Sequence, residues 1–103
     1  MTDHPTLGLY VIRRSGWHTP DALQASAARS ADVGDNEMSD DIRWIRSYVV
    51  KEHDGTLGTV CIYQASSADK VREHAGRAGI PAQDVLPIVE TLVVRPDPAA
   101  VAA

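Results

Sequence analysis

The chain has 103 residues, 44% of them apolar and 23% charged, with a formal charge of −4. It holds no run of about 18 apolar residues, so no membrane span is expected, and the acidic balance argues against a nucleic-acid partner. A single cysteine, Cys61, excludes an intrachain disulfide, and residues 1–5 show no basic-then-apolar leader, which together predict a reducing, cytoplasmic setting.

Residues 7–14 (LGLYVIRR) are β-rich and predict the first strand. Thr19-Pro20-Asp21 then reads as a helix start: Thr19 caps, Pro20 takes the first helical position, and Asp21 complements the positive helix end. Leu23, Ala27 and Ala31 recur on one face, giving a helix over 20–32. Residues 33–41 (VGDNEMSDD) form an acidic, turn-rich connection that lacks calcium-loop spacing. A second strand is expected over 42–50, an Asp54-Gly55 hairpin turn next, and a third strand over 57–64. Ser66 with Asp69 resembles a capping box, the apolar face of Val71, Ala75 and Ala78 predicts a second helix, and Gly79-Ile80-Pro81 stops it. Residues 86–94 (LPIVETLVV) predict a fourth strand, with Pro87 suited to an edge.

The order β-α-β-β-α-β predicts an α+β, ferredoxin-like fold with an antiparallel sheet whose second and fourth strands are edges. One domain over 7–95 is expected, with residues 1–6 and 96–103 as flexible termini. Both faces of the strands are apolar. Leu9 and Val11 oppose Tyr10 and Ile12, and Trp44 and Tyr48 oppose Ile45 and Val49. In the fourth strand Ile88, Leu92 and Val94 oppose Val89 and Val93. Two short helices cover one face only, so the other predicts a homodimer packed sheet to sheet, a dimeric α+β barrel. A chain this short leaves little room for an internal site, so a pocket is expected at the dimer cavity.

Several residues are candidates for chemistry. His74 borders the apolar stripe of the second helix, with Glu73 and Arg77 nearby. It reads as a metal ligand or general base at a pocket rim, or as a structurally held histidine. Cys61, sharing a face with Thr59 and Tyr63, reads as a thiolate ligand or as a small buried hydrophobe. Trp44, Tyr48 and Tyr63 are aromatics on neighbouring strands and are expected to line a partly polar cavity, or to be core. Glu90 falls inside an apolar strand and faces a polar cavity or an edge open to water. No zinc motif, phosphate loop or Ser/His/Asp motif is present, and the third strand lacks the aromatics and basic lead-in of an RNA-recognition domain.

Three stretches together resemble a family. Residues 44–49 (WIRSYV), 61–65 (CIYQA) and 71–82 (VREHAGRAGIPA) are similar to small bacterial proteins labelled nickel-binding, formerly a domain of unknown function. The resemblance runs from Leu7 to Val94. It implies a ferredoxin-like fold, a homodimer and binding of nickel or another divalent transition metal. His74, Glu73 and Cys61 are the implied ligands and match the motif, as does Tyr63. Near the end of the first strand the family often carries Glu or His; here that place holds Arg13 or Arg14, which do not ligate metal. Two functions are therefore expected. One is a cytoplasmic metal-binding homodimer. The other is a cofactor-independent enzyme or small-molecule-binding protein of the dimeric α+β barrel type, with His74 as acid or base.

Overall fold

The computed structural model describes residues 7–99; of the termini expected to be flexible, 1–6 and 96–103, residues 1–6 and 100–103 lie outside them. The elements are β1 (Gly8–Trp17), α1 (Pro20–Asp32) continuing into a π-helical turn (Val33–Glu37), β2 (Ile42–Lys51), β3 (Leu57–Ala65), α2 (Ala68–Ala78) and β4 (Asp84–Ile88). The sheet order is β2-β3-β1-β4, with every neighbouring pair antiparallel. That is the ferredoxin-like order, with β2 and β4 at the edges.

Local chemistry explains the boundaries. Thr19 Oγ1 accepts from the Ala22 N–H at 3.1 Å, and Pro20 opens α1. The cap of α2 is Ser67, whose Oγ accepts from Lys70 N–H at 3.2 Å, and not Ser66 as the capping-box reading has it. Ser66 instead donates its hydroxyl to Asp41 at 3.0 Å. Gly79 ends α2 with φ +67°, the left-handed position where a side chain is strained. In the β2–β3 hairpin, Asp54 Oδ1 accepts from Thr56 N–H at 2.9 Å.

Three further expectations are corrected. The acidic connection is not all loop: the Met38 N–H donates to the Val33 carbonyl across a wide helical turn, burying Val33, Gly34 and Met38. The fourth strand is Asp84–Ile88 and not 86–94. Ile88 pairs with Leu9, one residue from the start of β1, so the chain beyond runs out of partner. Val89, Leu92, Val93 and Val94 are exposed as a result. Finally, the β2–β3 register shifts between Trp44 and Arg46, a bulge at Ile45. One extra residue reverses the alternation, so Trp44 and Tyr48 lie on opposite faces and Val49 shares the side of Trp44.

Both helices pack on the face carrying Ile12, Cys61, Tyr63 and Ala65, and the core is closed by Val33, Met38, Ile42, Val71 and Ala78. The opposite face presents Leu9 and Val11 from β1, Val60 and Ile62 from β3, and Leu86 and Ile88 from β4. No element of the described chain covers it. At its β2 side, Arg46 and Tyr48 both donate to Asp97, at 3.2 and 2.7 Å.

Candidate functional site

Between α1 and the helix-side face of the sheet lies an open cavity of about 390 Å³. That falls in the lower part of the range for small-molecule sites. Trp17, Leu23 and Ala27 bound it toward α1, and Trp44, Cys61 and Tyr63 bound it on the sheet. The Ile45 bulge turns Ser47 toward the same side, where its hydroxyl lies 3.0 Å from Cys61 Sγ. Trp44 and Tyr63 stack nearly parallel, with ring centroids 6.0 Å apart.

The cavity's polar groups are largely bonded to one another. The Tyr63 hydroxyl and Ser30 Oγ are 2.7 Å apart, and the Trp17 indole N–H donates to Ser26 Oγ at 2.9 Å. Burial raises the Tyr63 phenol above its ordinary 10.0, the Ser30 bond opposing, so it stays protonated. Arg14 is the exception. Its side chain is buried, Nε donates to the Pro81 carbonyl at 2.6 Å, and the guanidinium sits 5.5 Å above the Tyr63 ring. Its Nη2 is buried without a hydrogen-bond partner.

His74 is fully buried on α2 beside Tyr63, ring centroids 5.3 Å apart. Its Nε2 lies 2.9 Å from the Ser30 carbonyl of α1. A carbonyl only accepts, so Nε2 carries the proton and Nδ1 is left as a buried lone pair with no partner. Burial lowers the His74 pKa from 6.5, the Ser30 bond opposing and the nearby Arg14 charge adding to the fall. The sign of the pH dependence follows. As pH drops below about 6.5 the unfolded chain takes up a proton that the folded chain refuses, so stability present above that value is lost. The unfolding free energy read from urea titrations is expected to fall between pH 7.5 and 5, by at most about 1.4 kcal/mol per pH unit, and that pH slope is expected to shrink in His74→Gln.

The sequence-predicted residues separate into groups. Trp44, Tyr63 and Cys61 do line one cavity. Tyr48 sits on the opposite face, holding Asp97. Glu73 is on the outer side of α2, paired with Arg77 at 2.6 Å and Lys70 at 3.4 Å. Glu90 follows the end of β4 and is exposed. Among the described residues no three His, Cys, Asp or Glu side chains come together to hold a metal ion, so His74, Glu73 and Cys61 do not form a ligand set within one chain. Arg14, Ser30 and the Ile45 bulge were not anticipated as parts of a site. The signal available for Arg14 was the alternation itself, which sets it on the same side as Ile12 and Tyr10.

Fold and cavity define a small α+β protein of ferredoxin-like topology. The family model "Nickel responsive protein SCO4226-like" matches residues 10–88, and the chain belongs to that family. Among solved structures it is similar to SCO4226 from Streptomyces coelicolor A3(2), with a TM-score of 0.66 at 19% identity, over 82% of this chain and 99% of that one. No curated protein matches this chain.

Proposed function

We propose that this chain is a small-molecule-binding protein that acts as a cytoplasmic homodimer and uses the cavity between α1 and the sheet as its site. The observation that carries this reading is the buried, incompletely bonded Arg14 guanidinium on the wall of a mostly apolar and aromatic cavity. Binding is favoured over turnover because the candidate acid–base groups are already committed. Tyr63 is bonded to Ser30, and His74 holds the Ser30 carbonyl. The dimer is supported by the uncovered apolar face of β1, β3 and β4. In a thermal-shift panel of small aromatic acids, amides and amines, some are expected to stabilise the wild-type chain. Ala27→Phe, which fills the cavity from α1, is expected to abolish that gain. No gain from any compound, or an unaltered gain in the variant, contradicts the reading.

The family description supports a second reading, binding of nickel or a similar divalent ion. His74 has a tautomer suited to ligation, with one nitrogen donating to a carbonyl and the other a free lone pair. Glu73 and Cys61 do not join it, and Nδ1 is buried on the helix side of the sheet, away from the face proposed for the dimer, so ligation would require the packing around α2 to open. After incubation with nickel and desalting, a stoichiometric metal content lost in His74→Gln supports this reading; no retained metal contradicts it.

A further inference from the structure

The geometry points to a small organic monocarboxylate as the ligand of the α1–sheet cavity, its charge seated on Arg14 and its apolar body against the Trp44–Tyr63 stack. The inference rests on the cavity reading above and adds the ligand class.

Arg14 is only 3% exposed, and an arginine does not shed its proton in a protein. A buried charge calls for a counter-charge. Among the described residues no Asp or Glu forms an ion pair with Arg14. The Pro81 carbonyl and the face of Tyr63 engage the guanidinium, yet Nη2 has no acceptor. No Asp or Glu lines the cavity that Arg14 borders, and Arg46 at its edge is already paired with Asp97 at 3.2 Å, so Arg14 is its one unpaired cation among the lining residues. Nη2 itself is sealed inside the protein, so a ligand carboxylate would lie against the guanidinium where Arg14 lines the cavity and supply the missing charge.

The rest of the wall restricts the class. Ser30 and Tyr63 satisfy each other, as do Trp17 and Ser26, so few polar atoms ask for a ligand partner. Trp17, Leu23, Ala27 and Ile80 complete an apolar surface. A phosphate ester carries close to two charges and would meet a single unpaired guanidinium, since Arg46 is held by Asp97. A monocarboxylate with a flat or compact apolar body matches one charge and one apolar wall.

The test is isothermal titration calorimetry with benzoate, benzamide and benzamidinium, which share a ring and differ in head-group charge. Benzoate is expected to bind the wild-type chain at least tenfold more tightly than benzamide, and benzamidinium not at all. Arg14→Met is expected to erase the benzoate advantage, and Arg14→Lys to keep part of it. Should Arg14→Met fail to fold, the Arg14 Nε–H resonance of the wild-type chain is read instead, and benzoate is expected to shift it. Equal binding of benzoate and benzamide overturns the carboxylate assignment while leaving the cavity reading standing. No binding by any of the three, with both tryptophan signals unmoved, overturns both.

Discussion

His74→Ala is expected to destabilise the chain by about 3 kcal/mol, a loss that combines a fully buried ring's packing with one buried hydrogen bond. The imidazole fills the space between α2, Tyr63 and the start of the π-helical turn. A side chain placed on Gly34 would come within 3.7 Å of its Nε2. Its bond to the Ser30 carbonyl also joins the two helices directly. With a urea slope of about 1.5 kcal/mol/M for a chain of this length, the midpoint is expected to fall by about 2 M. The measurement is made in metal-free buffer with chelator, where only packing and hydrogen bonding remain. An unchanged midpoint there contradicts a structural role for His74 and returns it to the metal reading.

Ile62→Asp is expected to turn a dimer into a monomer. Ile62 lies mid-sheet on the uncovered face, paired in register with Val11 of β1 and Arg46 of β2. Its neighbours Leu9, Val60, Leu86 and Ile88 make the face continuous across three strands. Arg46, opposite on β2, is already held by Asp97, so a carboxylate at the centre of a sheet-to-sheet contact loses its water without gaining a free partner. The core, on the other face, is untouched. Sedimentation is therefore expected to read 11.1 kDa for the variant and about twice that for the parent, with unchanged circular dichroism. A parent that sediments as a monomer, or a variant that stays dimeric, contradicts the dimer through this face. Leu92, which the sequence pattern placed in that contact, lies beyond the end of β4 and is a weaker probe.

The elements with chemical punctuation were the readable ones. Thr19-Pro20 opens α1 and Gly79 closes α2 where the residue types predict, because capping is local chemistry. The hairpin at Asp54-Gly55 is likewise local. The bulge at Ile45 was not readable: nothing in IRWIRSYVV marks an inserted residue, and an apolar run alternates plausibly in either register. It reassigns Tyr48 to the outer face and brings Ser47 and Val49 to the cavity. The end of β4 depends on where β1 begins, a property of the pairing and not of residues 86–94. Half of the candidate site was legible. Trp44 and Tyr63 read as cavity residues because aromatics on adjacent strands share a face, but the pocket expected at the dimer cavity lies instead between α1 and the sheet of one chain, where the small side chains of α1 (Ala27, Ser26, Ser30) leave room. Arg14 reads in the sequence as a strand end, at or beside the place where the family often carries Glu or His, and as no part of a site. Its burial comes from Pro81, sixty-seven residues away, and from Tyr63, contacts that no local pattern encodes.

The most direct test of the cavity as a binding site is a ¹H–¹⁵N NMR titration read at the indole N–H signals of Trp17 and Trp44. These are the chain's two tryptophans, and both line the cavity. With benzoate added to millimolar concentration, both signals are expected to shift and saturate together, alongside the Arg14 Nε–H. Indole signals that stay in place, or that drift linearly without saturating, contradict the account.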